Sequence, residues 1–408
     1  MSYGSVEMAD NTALAIKTLD RGSNQSGMRA HNERLVLSLI RQFGQLAKSR
    51  ITEMTGLSAQ TVSVIMRALE ADGLLEKGVP IRGKVGQPSV PMNLRRDGAF
   101  FLGLKVGRRS LDLVLTDFLG KPVNRIRESY AHPTPDRVVD IANDAIKRLL
   151  DELSEEQRSR VVGLGIALPF QLWGWADHQD ADPEEMDSWR DRDIGEDIGA
   201  KWPFPVYVCN DASAACGAEL VFGTPDKPRN FLYFYVGFFI GGGLVLDNVL
   251  YTGQTGNAAA IGSTPVLSAD GERTQLVDVA SLVQLEKALE SKSSNSSMIW
   301  EDPESWCVPA DLLNPWLEKT SDGIAQAVFS SACLIDFQCV LIDGWLPAAV
   351  RKELVRRTRL RLAKTHLAGI ETPEVREGTV GSDARSLGAA SLPLSERFLV
   401  DRTAFLKG

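Results

Sequence analysis

Between residues 46 and 77 apolar side chains recur with helical spacing, in two short blocks separated by a glycine. In the second block Val62, Ile65, Met66 and Leu69 stand at i, i+3, i+4 and i+7, which gives an α-helix one apolar stripe. Ser58 stands directly before the block, where its hydroxyl can accept a backbone N–H and cap the helix. Gly56 falls at the turn between the helices, where a residue without Cβ can take positive φ. On a helical wheel Gln60, Val64 and Arg67 point away from the stripe, with Thr61 and Ser63 on its flanks. A helix with a buried stripe and a short polar N-terminal face suits a DNA major groove. An ordinary buried helical hairpin carries the same stripe, so the flanking residues decide between the two. Upstream, Leu35, Val36, Leu39, Ile40 and Phe43 predict a helix over residues 29–43, stopped by Gly44. Downstream, residues 79–94 alternate around a Gly- and Lys-bearing turn, which predicts a hairpin tipped by Arg82, Lys84 and Gln87. Helix, helix, helix and wing make a winged helix–turn–helix over residues 28–98.

The pattern changes at Phe100. Residues 100–123 read as two strands joined by a turn at residues 107–109, with a further turn at 119–121. A helix over 135–153 and the apolar strand VVGLGIALPF follow. A second strand, VYVCND, ends at Asn210-Asp211 and leads into a small-residue helix. Next come a glycine-bearing hairpin over 231–253, a helical segment over 276–289 and a polar, flexible insertion at 291–298. A helix over 320–337, the strand CVLIDG, a helix over 348–368 and the closing VGSDARSLGAASLPL complete the chain. Strand–turn–strand openings followed by crossover helices occur twice, which predicts an α/β body of two lobes over residues 99–408 with a cleft between them. Residues 1–27 lack periodicity and hold only Lys17 and Arg21 as cations, so a passive disordered arm is expected there.

Composition sharpens this. A chain of 408 residues has room for two or three domains. No apolar run reaches the length of about 18 residues that a membrane span needs, and the N-terminus has no hydrophobic leader, so a cytoplasmic protein without membrane contact is expected. The five cysteines form no CxxC pair, which points to reduced thiols. The net charge of −8 disfavours nucleic acid only until it is divided. Residues 28–98 hold 11 Lys and Arg against 6 Asp and Glu, a net of +5, and the remainder holds 34 against 47, a net of −13. The basic surplus lies where phosphates would be neutralised.

Several pieces, in this order and spacing, resemble the ROK family of repressors, open reading frames and sugar kinases. They are HNERLVLSLI, TGLSAQTVSVIMRALEADGLL, GLGIALP, CNDASAACGAEL, the glycine hairpin through VLYTG, and VGSDARSLGAASL. The resemblance covers the chain from residue 29 onward. It implies a two-lobed actin/hexokinase-like, ribonuclease-H-type fold behind the winged helix–turn–helix of the repressor branch. In sugar-phosphorylating members, a first glycine loop with an aspartate handles phosphate and metal, a second glycine turn holds more phosphate, and the aspartate of an Asn-Asp pair is the general base. Here the pair is Asn210-Asp211. The first loop is Lys105-Val106-Gly107-Arg108-Arg109, without an acidic residue or threonine, and the second carries Phe238 and Phe239. Phenylalanine offers phosphate no donor, so ATP binding and kinase activity are not expected.

The family's GExGH element and cysteine cluster build a zinc site beside the sugar. Here Ala260 takes the glutamate position and Ser263 the histidine position, and LSADGERTQL at 267–276 replaces the cysteine loop. No zinc or other cofactor is expected, because tetrahedral zinc needs soft or imidazole ligands. Polar contacts through Asp270, Glu272 and Arg273 are expected to hold that loop instead. Val277, beside Asp278, replaces a further sugar-binding glutamate. The candidate effector positions are therefore Asn210, Asp211, Ala260 and Ser263, with Gln171 and Trp189 from the opposite wall. Asn210-Asp211 can equally be a helix cap. Trp173, Trp175 and Trp189 can stack on a sugar ring or pack within a lobe.

The leading expectation is a non-enzymatic, sequence-specific transcription regulator, a repressor of carbohydrate uptake or catabolism genes with a sugar-like effector between its lobes. Ser58, Thr61, Ser63, Arg82, Lys84 and Gln87 would serve the DNA backbone and wing contacts, and Gln60 and Arg67 the base edges. One winged helix reads a half-site, so a homodimer or homotetramer on a near-palindromic double-stranded operator is implied. The alternatives are a sugar kinase with a DNA-binding appendage and a scaffold that answers to a partner protein.

Overall fold

In the computed structural model the apolar stripe of the N-terminal module closes onto two neighbouring helices. Residues 25–80, 90–130, 132–170, 183–268, 270–365 and 368–400 are described. Helix α1 (Gln25–Phe43) begins four residues before the expected Arg29 and within the expected arm, and it stops at Gly44, whose φ is +75°. Helices α2 (Lys48–Thr55) and α3 (Ala59–Ala71) meet at Gly56, with φ at +69°. Val62, Ile65, Met66 and Leu69 are all buried, as the stripe requires. The hairpin is shifted from its expected position: β1 (Leu75–Lys77) pairs antiparallel with β2 (Met92–Leu94), so its first strand is LEK rather than the run from Val79. Leu75 drives that shift, since it is 2% exposed and completes the module's core. The wing residues Arg82, Lys84 and Gln87 lie outside the described residues.

The body is built twice on one plan. In the first lobe β3 (Phe100–Val106), β4 (Ser110–Thr116) and β5 (Pro122–Ser129) run as an antiparallel meander. Helices α4 (Pro135–Asp151) and α5 (Glu155–Ser159) lead to β6 (Val161–Leu168), which lies parallel to β3. Helices α6 (Pro183–Asp187) and α7 (Ile194–Gly199) lead to β7 (Val206–Asn210) at the sheet edge. The strand order is β5-β4-β3-β6-β7.

Helix α8 (Asp211–Phe222) carries the chain into the second lobe, whose meander is β8 (Phe231–Val236), β9 (Ile240–Leu246) and β10 (Val249–Tyr251). A small hairpin of β11 (Pro265–Leu267) and β12 (Arg273–Gln275) follows. Helices α9 (Leu276–Ala280), α10 (Leu282–Ser291), α11 (Met298–Glu301) and α12 (Ala310–Ala332) lead to β13 (Cys339–Gly344). After α13 (Ala348–Lys364) comes β14 (Glu374–Glu377), giving the order β10-β9-β8-β13-β14, the same as in the first sheet. Helix α14 (Ala384–Phe398) then returns to the first lobe. This repeat is the expected two-lobed actin/hexokinase-like architecture.

Several expected elements move. The segment at 276–289 is two helices, because the Ser281 hydroxyl accepts a hydrogen bond from Ile240 N and donates one to Val277 O, fixing Ser281 in extended backbone. Helix α12 starts ten residues before the expected Thr320 and accommodates Pro315, with Trp316, Leu317, Ile324 and Val328 buried along it. The loop expected to rest on Asp270, Glu272 and Arg273 is held instead by backbone pairing and by Gln326, whose amide bonds Leu267 N and O. Strand β14 has no counterpart among the expected elements.

Helix α14 seats against β3, β6 and α8 by close approach. A Cβ at Gly165 would lie 1.8 Å from Ala389 O, and one at Gly388 would lie 1.8 Å from Ala214 O. The small residues of GAAS thus serve backbone contact. Leu394 and Phe398, toward the far end of the helix, join an apolar cluster with Phe101, Val114 and Phe118 of the first lobe and Val36, Ile40 and Met92 of the module. The Phe118 and Phe398 rings meet edge-on at 4.9 Å. The module therefore shares its core with the body.

Candidate functional site

Polar groups suited to binding gather in two regions, the outer face of α3 and the cleft between the lobes. On α3 the Ser58 hydroxyl accepts Thr61 N at 3.1 Å and contacts Thr61 Oγ1 at 2.8 Å, so both hydroxyls are engaged in the cap. Gln60, Val64 and Arg67 face solvent, and Thr61 and Ser63 are half-buried beside them, as the helical wheel predicts. Arg67 Nε donates to Ser63 O, which holds the guanidinium along the helix.

The cleft is a small cavity of about 150 Å³ lined by Arg108, Phe170, Asn210, Asp211, Tyr235, Phe239, Ala260, Ser263 and Arg385, among others. Four sequence-predicted positions, Asn210, Asp211, Ala260 and Ser263, thus meet in one place. Asn210 is also a helix cap: its Oδ1 accepts Ala212 N at 3.0 Å and Ser213 N at 3.2 Å, at the start of α8. The cap reading holds for Asn210, and Asp211 lines the cavity. Gln171, Trp173 and Trp175 lie outside the described residues. Trp189 does not join the cleft. It is 4% exposed, packs in the first lobe's core and donates Nε1–H to Pro133 O at 2.6 Å, so it is a packing residue.

The cavity is small because arginines enter it. Arg385, in the first turn of α14, donates to Asp211 Oδ2 at 3.3 Å and lies over the Tyr235 ring at 4.8 Å. Burial opposes the charge on Arg385, but Tyr235 and Asp211 outweigh it and hold its pKa above the ordinary value. Arg108 sits 4.1 Å over the Phe239 ring, and burial lowers its pKa to about 10. Its neighbour Arg109 crosses the cleft to Glu286 at 2.7 Å, and Trp300 Nε1 donates to the same carboxylate oxygen at 2.7 Å. The loop that holds phosphate in sugar-phosphorylating members is here occupied by guanidinium–aromatic and ion-pair contacts between lobes.

Behind the loop, Lys105 is buried directly opposite Asp112 in the β3–β4 register, with Nζ 2.9 Å from the carboxylate. Burial, partly offset by Asp112, holds the Lys105 ammonium down to about 8. Arg127 reaches the other oxygen of Asp112 at 3.5 Å. The expectation that the first loop lacks acid thus needs qualification: the acid comes from the facing strand. The turn expected at 107–109 sets Lys105 against Leu111, and only the observed register, with Val106 opposite Leu111, brings Lys105 to Asp112. Arg385 and Glu286 carried no local signal, lying 174 and 177 residues from their partners. Among the described residues no group of three or more His, Cys, Asp or Glu side chains is arranged to hold a metal ion, and no helix is long and apolar enough to cross a membrane.

The doubled sheet, the Asn-Asp pair at the start of α8 and the glycine hairpin define a two-lobed sugar-kinase-like body joined to a winged helix. The profile described as the ROK family matches residues 101–395, and the chain belongs to that family. The xylose repressor of Bacillus subtilis (strain 168) is 26% identical over 247 residues, which is 59% of this chain and 62% of that repressor's own length. In fold, the chain is similar to a crystal structure of a ROK family transcriptional regulator, homolog of E. coli MLC protein, with a TM-score of 0.67 and 18% identity over 93% of this chain and all of that one. It is also similar to a ROK family glucokinase from Streptomyces griseus in complex with glucose and AMPPNP, with a TM-score of 0.53 and 17% identity over 72% of this chain and 99% of that one.

Proposed function

We propose that this protein is a DNA-binding transcription regulator, a repressor of carbohydrate uptake or catabolism genes, switched by a small effector between its lobes. Residues 28–98 form its DNA-binding part and residues 99–408 its effector-binding and oligomerisation part. A cytoplasmic location goes with that role.

One observation carries the reading. Helix α14 has Arg385 at the cleft in its first turn and Phe398 in the apolar cluster of the DNA module at its end. Its 15 residues span about 22 Å at the helical rise. An effector that changes how Arg385 sits therefore acts on a packed element whose far end supports the module. It shifts DNA affinity by as much as it prefers one state over the other. In a homo-oligomer the two modules would then change spacing or orientation on their half-sites.

Two features favour this reading over a sugar kinase. Asp211, the residue that matches the family's general base, is paired with Arg385, and Phe238 and Phe239 crowd the second glycine turn. The likeness to a xylose repressor and to a ROK transcriptional regulator points the same way. A thermal-shift screen of the full-length protein against neutral sugars, sugar acids, amino sugars and sugar phosphates tests the effector, with ADP release measured in parallel. A ligand at about 100 times its Kd should stabilise the protein by roughly 2.7 kcal/mol. Asp211→Ala should abolish that gain. Sugar-dependent ADP release would establish a kinase instead, and no stabilising compound would move the search to a protein partner.

A further inference from the structure

Among the described residues that line the cleft cavity, guanidiniums outnumber carboxylates. Among the described residues, four cations surround Asp211 and its neighbourhood: Lys105, Arg108, Arg127 and Arg385. Asp112 pairs with Lys105 and Arg127, Asp211 pairs with Arg385, and Arg109 is matched by Glu286. Asp112 is divided between Lys105 and Arg127, and in the lining of the cavity the guanidiniums of Arg385 and Arg108 stand against one carboxylate, Asp211. Arg385 has only 16% of its side chain exposed, and its Nε has no hydrogen-bond partner among the described residues. Buried cations need counter-charges, and a donor left unmade in a protein interior costs free energy. Two guanidiniums and one carboxylate thus line the cavity, which also presents Asn210, Asn257 and Ser263.

We propose that the ligand of this cleft is an anion: a small hydroxylated acid, such as a sugar bearing a carboxylate or a phosphate, whose charged group is held by Arg385 and Arg108. The proposal rests on the effector reading above and narrows its chemical class. A guanidinium presents donors in a fork that matches a carboxylate or phosphate oxygen pair. When the ligand's anionic group takes Arg385, the Asp211 carboxylate is released from its 3.3 Å contact and becomes an acceptor for a ligand hydroxyl. The exchange explains why an arginine can stand beside the aspartate without sealing the site. A cavity of about 150 Å³ favours a compact acid over a nucleotide.

Calorimetric titration of the full-length protein with matched sets of neutral hexoses and pentoses, their uronic acids and their phosphates tests this. We expect saturable binding by the charged members, with the carboxylate and phosphate arms showing which acid group fits. Arg385→Gln should cut the preference for the charged ligand over its matched neutral sugar by about tenfold or more. Arg385→Lys should retain part of the affinity. Arg108→Gln removes a cation while keeping both partners of the Arg385–Asp211 ion pair and should weaken binding in the same direction, which guards against a folding defect in the first variant. Neutral sugars binding as tightly as their acids would overturn this inference and leave the effector reading standing. Saturable binding by no member of any set would overturn both.

Discussion

Helix α3 and the interlobe cleft are held together in opposite ways. Everything that makes α3 what it is lies within a few turns: the Ser58 cap, the Gly56 corner and four buried residues in a helix of 13. The cleft is assembled from residues 174 and 177 positions apart, placed by two sheets of the same strand order. Local order writes itself into a periodic pattern, whereas the chemistry of a cleft depends on single residues brought together by the whole fold. Such a cleft can change its chemistry through a handful of substitutions, such as Arg108, Phe238, Ala260 and Ser263, while the frame around it stays.

The strongest way to break the comparison is to damage one region and watch the other. Met66 is 1% exposed in the α3 stripe, and Met66→Ala should cost about 3 kcal/mol. The loss should appear in hydrogen exchange of α1–α3. All eight tryptophans lie after residue 172, so their fluorescence follows the body and should change little. Equal loss in both regions would mean that the shared cluster makes module and body one cooperative unit.

Gly388→Ala acts from the other side. Its new Cβ would meet Ala214 O, a backbone atom that cannot step aside, and should cost roughly 2–3 kcal/mol. The body's tryptophan-monitored unfolding should register it. An unchanged midpoint would show that α14 can slide, and with it the proposed link from cleft to module would fail.

A smaller and signed effect belongs to Lys105. Its pKa is held near 8 by burial, below the ordinary 10.5, so the unfolded chain binds that proton more tightly than the folded one. Between those values stability carried by Lys105 should rise with pH, and the wild type should gain on Lys105→Met over that window. Parallel stability curves for the two proteins would mean that the ammonium keeps an ordinary pKa. Smallest is Ser58→Ala, which removes the cap of α3 and should cost about 1 kcal/mol, seen as faster exchange in the first turn of that helix.

The sequence is legible where physics is local. The stripe, the glycine corners, the strand–turn–strand openings and the Asn210-Asp211 landmark all occupy their expected positions. Arg385 is invisible there because nothing near it in the chain marks it as the partner of Asp211. Trp189 misleads because an aromatic in a polar stretch looks like a stacking platform, yet its indole N–H finds Pro133 O within the lobe. The helix expected over 276–289 conceals a break, since the hydroxyl of Ser281 takes its partner from a strand 41 residues away.

The most direct test of the proposed function is to recover what the protein holds from fragmented DNA of its own genome. The full-length protein should enrich a small set of near-palindromic sequences with half-sites about one or two helical turns apart. The double variant Gln60→Ala with Arg67→Ala should lose that enrichment without a change in melting temperature, since both side chains face solvent. Bound fragments with no common sequence, or enrichment that survives the double variant, would contradict the account.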